Sequence, residues 1–356
     1  MARVLLTGGG SGAANSLVRD LRAGDPDIVV VACNADRFAL KKSSADRNYL
    51  VDPPDHPAHL DGLRRVVSRE AIDLVVPTSD DAVRVVGRAR DTLGYRTFLP
   101  GSDAIELCQD KYELGCRLQK HGVPTPATHP VTALADVERA FDLLGSAPLW
   151  CRVRAGAGSS AAAPVATPEQ ARWWISYWSD FRGVPVSSFV LSEYLPGRDF
   201  FAQGIWKNGE LVVIKTCERL SYFVVGGAPS GVSSASRLSK TVHEPRVVET
   251  CVAAVGALEP MASGTFNFDL KEDAAGVPSI TEINPGRFPA GAGIINLTGK
   301  HNMALLYVRL GMGEPVTTRG EYDSGEVYYA LRDLDALPAV FHAEELFTDI
   351  EDVRDE

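Results

Sequence analysis

Residues 264–288 read GTFNFDLKEDAAGVPSITEINPGRF, two alternating runs joined by Asp273-Ala-Ala-Gly276. Apolar–polar alternation on both sides of a turn signal predicts a β-hairpin. A turn centred between Ala275 and Gly276 sets Asp269 opposite Glu282 and Asn267 opposite Asn284. Side chains alternate along a strand, so these four share one face while Phe268 and Ile283 turn to the other. Two directly opposed carboxylates repel, and their face carries only two amides to soften the repulsion. A bound cation resolves the conflict, and an oxygen-only donor set favours Mg²⁺ or Mn²⁺ over zinc. Asn284-Pro-Gly-Arg287 follows at once and brings an arginine beside the proposed metal, suited to stabilising transferring phosphoryl oxygens. Taken alone, the stretch also reads as a solvated hairpin with chance acidic residues.

Working outward, three more segments have pieces suited to phosphate or nucleotide. CRVRAGAGSSAA (151–162) runs two arginines, Arg152 and Arg154, into a small-residue loop. Glycines there let backbone N–H groups converge on phosphate oxygens, and Ser159 and Ser160 add hydroxyls; the bland reading is a turn. Lys111, in Gln-Asp-Lys-Tyr, is one of only nine lysines among 36 basic residues, and its bland reading is a solvated helix lysine. LSEYLPGRDF (191–200) leads an apolar strand through Glu193 into a Pro-Gly turn and Asp199, offering backbone groups to a base and a carboxylate to a ribose.

The first hundred residues alternate short apolar runs (Val4–Leu6, Ile28–Ala32, Leu74–Val76) with helical patterns (Asn15–Arg22, Leu60–Arg69), which predicts a βαβαβ parallel sheet. One helix is expected from Ser102 or Asp103, capped by an Asp103/Glu106 box and stopped by Gly122 and Pro124. A second α+β unit follows, with a helix over Asp136–Leu144, a strand over Leu149–Val153 and a helix from Pro168 capped by Thr167. Beyond Ser188 the pattern is strand-rich. The stretch Val340–Glu356 reads as an acidic, solvated face.

With 356 residues the chain exceeds one ordinary core, and its composition is that of a globular protein. A net charge of −10 argues against general binding to nucleic acid or to anionic membranes. No apolar run approaches the roughly 18–20 residues that cross a bilayer. The six cysteines are scattered without a CxxC pair, so neither structural zinc nor a disulfide framework is expected, and a reduced, cytoplasmic protein is.

In this order, TGGGSG (7–12), PTSDD (77–81), DKYEL…GVPTP (110–126), the Arg-rich strand with its glycine loop, SEYLPGRDF and FNFD…TEINPGRF, the chain resembles the ATP-grasp superfamily. The likeness is to its carbamoyl-phosphate-synthase-like carboxylate–amine ligases. The resemblance implies an α/β architecture: a Rossmann-like pre-ATP-grasp domain over residues 1–101, then a two-lobed α+β ATP-grasp domain. Within the latter it implies a linker helix and lid over 102–190 and a catalytic subdomain over 191–325, with 326–356 left as a C-terminal segment. It implies ATP as co-substrate with Mg²⁺ or Mn²⁺, small-molecule carboxylate and amine substrates, and a homodimer.

Residue by residue, Lys111 matches the lysine that reaches the nucleotide phosphates, and Arg152 stands where the family usually has a second one. Arg154 belongs to the same strand, and Gly156, Gly158, Ser159 and Ser160 resemble the loop covering the phosphates. Glu193, Tyr194 and Leu195 match the hinge beside adenine, and Asp199 the ribose-binding acid. Asp269, Glu282 and Asn284 match the metal ligands and Arg287 the arginine that steadies an acyl phosphate. Lys215 and Arg219, beside the expected substrate loop Thr216–Ser234, are candidates for anchoring the substrate acid. Arg152-Val-Arg154 replaces the commoner Lys-Pro-Arg, Ala161–Ala163 makes the loop less glycine-rich, and NPGR is one residue longer than the frequent NPR.

A carbamoyl-phosphate-type phosphotransfer enzyme would share every one of these motifs. A rival of another class is an NAD(P)-dependent oxidoreductase using the TGGGSG loop, with Asp36 beyond the second strand. It leaves residues 264–288 unexplained. Trp173, Trp174, Tyr177 and Trp178 could stack on a base, but helical spacing favours packing of a lid helix.

Overall fold

The structure, a computed structural model, describes residues 2–145, 147–156, 161–223, 235–290, 292–332 and 348–354. Near the N-terminus, β1 (Arg3–Thr7), β2 (Val29–Asn34), β3 (Arg47–Leu50) and β4 (Leu74–Val76) pair in parallel in the order β3-β2-β1-β4. Helices Gly12–Gly24 and His59–Glu70 lie between them in sequence, and Asp80–Ala89 follows β4. Val4, Leu5, Leu6, Val30 and Val31 are fully buried, as unbroken apolar strands of a two-sided parallel sheet must be. The short strand β3 is not apparent in the sequence pattern. A strand at the other end of the chain, Ile350–Asp352, pairs with it in parallel, and Val353 is buried. That part of the expected solvated tail is thus a sheet edge; residues 333–347 and 355–356 lie outside the described residues.

The part expected to form the lid is a four-stranded antiparallel sheet of β5 (Thr128–Val131), β6 (Leu149–Val153), β7 (Ala163–Val165) and β8 (Phe189–Glu193), in the order β5-β8-β6-β7. Helices Asp136–Leu144 and Pro168–Arg182 cover it, the second capped by Thr167 as expected. Leu149, Cys151, Phe189 and Leu191 face those helices, which leaves Trp150 and Arg152 on the opposite face of β6.

The largest sheet is built on β9 (Asp199–Lys207), β10 (Glu210–Tyr222), β11 (Ser236–Thr241), β12 (Gly264–Glu272) and β13 (Pro278–Pro285). They run β13-β12-β9-β10-β11, extended by Tyr329–Leu331, with Glu321–Tyr322 beside β10. Trp206, Phe266 and Phe268 pack edge-on and stacked beneath the sheet against helix Pro245–Leu258. Each such buried ring contributes about 1.5–3 kcal/mol.

One expected element divides. In place of a single helix, Ser102–Gln109 and Lys111–Lys120 are separate, broken at Asp110, whose backbone is extended and whose carboxylate accepts from the N–H groups of Tyr112 and Glu113. Asp110 is a helix N-cap, the role for which a short acidic side chain is suited. The Asp103/Glu106 box does not form, because Gly101 takes the cap position and Glu106 pairs with Arg88 at 2.6 Å.

Candidate active site

The hairpin β12–β13 has the expected pairing at its functional end, with Asp269 opposite Glu282, Asn267 opposite Asn284 and Phe268 opposite Ile283. The route to that register differs from the sequence reading. The turn centres on Ala275, with Asp273 paired to Val277, and Asp273 Oδ1 accepts from the N–H groups of Ala275 and Val277 at 2.8 Å. A bulge at Thr281 then restores the pairing. Bulges free a backbone group and re-aim a strand, and here the Thr281 carbonyl accepts from Arg152 Nη2 of the lid at 3.0 Å.

The two amides are buried, whereas the Asp269 and Glu282 side chains keep 27 % and 23 % of their exposure, so the carboxylates sit at the open end of the row. They are not as lonely as the sequence implied. Arg219, from β10, reaches across β9 to ion-pair with Asp269, and Lys111 Nζ lies 3.5 Å from Glu282 Oε2. Among the described residues no group of three or more His, Cys, Asp and Glu side chains could hold a metal. The donor set is instead two carboxylates and the Asn284 amide. That set fits a hard divalent cation such as Mg²⁺, which takes one or two protein carboxylates and completes its shell with water and phosphate oxygens.

Lys111 opens its helix, so Asp110 fixes it from behind. Asp110 also accepts from Arg154 Nη2 at 2.6 Å, and the Lys111 N–H donates to the Arg154 carbonyl at 3.0 Å. Its ammonium donates to the Gly156 carbonyl at 2.7 Å, tying it to the start of the glycine loop. Burial pushes the Lys111 pKa down, and Glu282 only partly offsets this. Arg152 is likewise lowered by burial against the pull of Glu282 and Asp269, and its Nε is buried with no partner. A buried orphan donor is costly, and an anion in the cleft would relieve it.

Arg154 does not enter the cleft as a free cation. It is held by Asp110 and Glu113 and lies over the Tyr112 ring, so it clamps the lid strand to the Lys111 helix. Glu193 Oε2 accepts from the Ala127 N–H at 2.8 Å, Leu195 is buried and Tyr194 is partly exposed. Asp199 accepts from Arg219 Nη1 at 2.9 Å and from the Tyr222 hydroxyl. Gly158, Ser159 and Ser160, and residues 224–234 of the expected substrate loop, lie outside the described residues.

Arg287 is aimed by two partners. Its Nη2 donates to Asn284 Oδ1 at 2.7 Å and to Asp80 Oδ2 at 3.1 Å. The extra residue of NPGR makes this possible. Gly286 has φ +77°, and a Cβ there would stand 2.9 Å from Leu99 and Val83, so only glycine turns the chain at this point. Asp80, quoted within PTSDD without a role, lies just past β4, where the strand order of the first sheet reverses. In open parallel sheets that is where ligands bind, the signal by which it could have been found.

Lys215 must be reassigned. Its side chain is fully buried, donates to the carbonyls of Ile295 and Thr298 and to that of His301 at 2.6 Å, and pairs with Asp323 at 3.1 Å. It ties a loop to the sheet and has no donor left for a substrate acid. Arg219, the other expected anchor, is in the cleft but committed to Asp199 and Asp269. Burial opposes its charge, yet the two carboxylates outweigh burial and hold its pKa above the ordinary value. Of the lid aromatics, Trp174 donates to the Ala161 carbonyl and packs with Trp178 on the lid core, while Trp173 and Tyr177 stack on each other.

No family model and no curated protein matches this sequence. Solved structures do. The chain is similar to an L-amino acid ligase from Bacillus licheniformis, with a TM-score of 0.67 and 16 % identity over 88 % of this chain and 74 % of that one. The biotin carboxylase domain dimer of a Hydrogenobacter thermophilus 2-oxoglutarate carboxylase, in complex with MgADP and bicarbonate, gives 0.69 at 15 % identity, over 89 % and 71 %. N5-carboxyaminoimidazole synthetase from Staphylococcus aureus, complexed with ADP, gives 0.67 at 14 %, over 88 % and 78 %.

This is the ATP-grasp fold. Within it the TGGGSG loop gains a structural explanation. Gly10 has φ +78° and its Cα faces the Ala39 carbonyl so closely that a Cβ would stand 1.6 Å from the oxygen. That glycine is required by the loop's own neighbour, a structural need that is independent of any ligand. No helix among the described residues is long and apolar enough to cross a membrane.

Proposed function

We propose that this chain is an ATP-dependent, ADP-forming ligase that activates a carboxylate as an acyl phosphate and couples it to an amine. The observation that carries the reading is the row Asp269–Glu282–Asn284 on one sheet face, with Arg287 bonded to Asn284 and Lys111 beside Glu282. A carboxylate is a poor electrophile; transfer of the γ-phosphoryl group to its oxygen creates a leaving group that an amine then displaces, releasing phosphate.

No nucleophilic side chain is needed, so the protein contributes alignment and charge neutralisation. Asp269, Glu282 and Asn284 would hold Mg²⁺, which supplies neutralisation between phosphoryl oxygens. Lys111 and Arg152 face the phosphates from the two sides of the cleft, Glu193–Leu195 line the base and Asp199 accepts from the sugar. Arg287, aimed by Asp80, steadies the charge that develops on the acyl oxygen. The lid strands carrying Arg152 and the glycine loop exclude water, which would otherwise hydrolyse the acyl phosphate. Small-molecule substrates, a cytoplasmic setting and a homodimer belong to the same proposal, and the 1–101, 102–190, 191–325 division describes its working parts.

Calorimetric titration with ATP plus Mg²⁺, and separately with NADH and NADPH, tests it. Mg-dependent ATP binding that is lost in Asp269→Ala is the expected result, followed by hydroxylamine trapping over a panel of carboxylates. Binding of a nicotinamide nucleotide without ATP binding would overturn the ligase and return the chemistry to the TGGGSG loop.

A further inference from the structure

Arg219 stands in a place that the ligase reading alone does not explain. Its guanidinium is a bridge: Nη1 donates to Asp199 Oδ1 at 2.9 Å and to the Phe200 carbonyl at 3.1 Å, and Nη2 pairs with Asp269 Oδ1. The side chain is 14 % exposed and its guanidinium lies over the Phe201 ring at 5.0 Å. The Tyr222 hydroxyl takes the other Asp199 oxygen. One arginine thus spans the carboxylate assigned to the sugar and a carboxylate assigned to the metal, on neighbouring strands.

The surrounding charge is already balanced. Asp199, Asp269, Glu282 and Asp80 face Arg219, Lys111, Arg152 and Arg287, four anions against four cations. A bare divalent ion entering this cluster competes with Arg219 for Asp269 and sits close to its guanidinium, a like-charge contact in a partly desolvated site. A nucleotide polyphosphate removes both penalties, since it brings excess negative charge and gives the arginine fork a new bidentate partner.

We propose that Arg219 is a resident counter-ion that keeps a divalent cation out of the nucleotide-free site and admits it only together with a polyphosphate nucleotide. The proposal rests on the reading of Asp269 and Glu282 as metal ligands. It makes Arg219 a positioning residue whose release couples the sugar end of the site to the metal end. By reciprocity, whatever the nucleotide does for the cation the cation does for the nucleotide.

The test is Mn²⁺ binding, followed by electron paramagnetic resonance of the free ion, to wild type and Arg219→Gln with and without ADP. Wild type should bind Mn²⁺ only when ADP is present. Arg219→Gln should gain about ten- to a hundredfold in nucleotide-free Mn²⁺ affinity. Tight Mn²⁺ binding by nucleotide-free wild type overturns the proposal whether or not the variant folds. If the Gln variant fails to fold, Arg219→Lys replaces it; the lysine keeps the charge but loses the planar fork that pairs with Asp199 and Asp269 together, so a smaller gain is expected, and no gain in the folded variant overturns the role of Arg219. Mn²⁺ bound by neither protein even with ADP overturns the metal reading itself, and the proposal with it.

Discussion

Two buried lysines, Lys111 and Lys215, look alike on paper: each is desolvated, each has its pKa pushed down by burial, and each faces one carboxylate. Their surroundings separate them. Lys215 is fully enclosed, and three carbonyls and Asp323 use all the donors an ammonium has. Lys111 keeps one short bond, to the Gly156 carbonyl, and a longer 3.5 Å approach to Glu282 in the cleft. A saturated buried cation holds a fold together; an unsaturated one beside partly exposed carboxylates is ready for a ligand.

The contrast can be broken most sharply by truncation. Lys111→Ala or Glu282→Ala should cut ATP-dependent turnover by about 10²–10³-fold or more, with the unfolding midpoint little changed. Near-normal turnover in Glu282→Ala would sink its assignment to the metal. Lys215→Met should do the reverse. It strands Asp323 in a buried site, so stability measured in urea should fall by about 3–5 kcal/mol, and turnover per folded molecule should persist.

pH sharpens the comparison further. On the proposed reading the charged form of Lys111 is the one that attracts phosphates, and burial lowers its folded pKa. Nucleotide affinity should therefore hold at neutral pH and decline on the alkaline side earlier than an ordinary lysine allows. Lys111→Arg should move that decline to higher pH; a limb that stays in place assigns the titration elsewhere. The smallest effect is expected from Arg152→Lys. If the residue only neutralises phosphate charge, turnover should drop about tenfold or less, because the fork is lost and the charge kept.

How much of this was legible in the sequence varies with distance along the chain. The hairpin face was readable because alternation and a short turn determine it locally, and an error of half a residue in the turn was absorbed by the bulge at Thr281. Asp110 was readable in principle, since an acidic residue just before a helix is a cap signal, but the continuous apolar face across residues 107–118 hid the break. The assignment of Lys215 to a substrate could not be tested locally. Facing inward or outward on β10 depends on what packs against the strand, and that comes from residues 295–301 and 323.

The sequence by itself determined which chemical groups this protein has and which of them share a strand face, because side-chain alternation is a property of the chain over a few residues. It also carried the order of motifs that resembles ATP-grasp ligases. Only the tertiary structure decided the partners. Arg287 meets Asp80 across 207 positions and Arg219 meets Asp269 across 50, contacts that no local rule encodes. Which charges are neutralised, and which remain open to a ligand, follows from those long-range pairs, since the strength of a charge depends on how near its counter-ion lies and how much water is left between them.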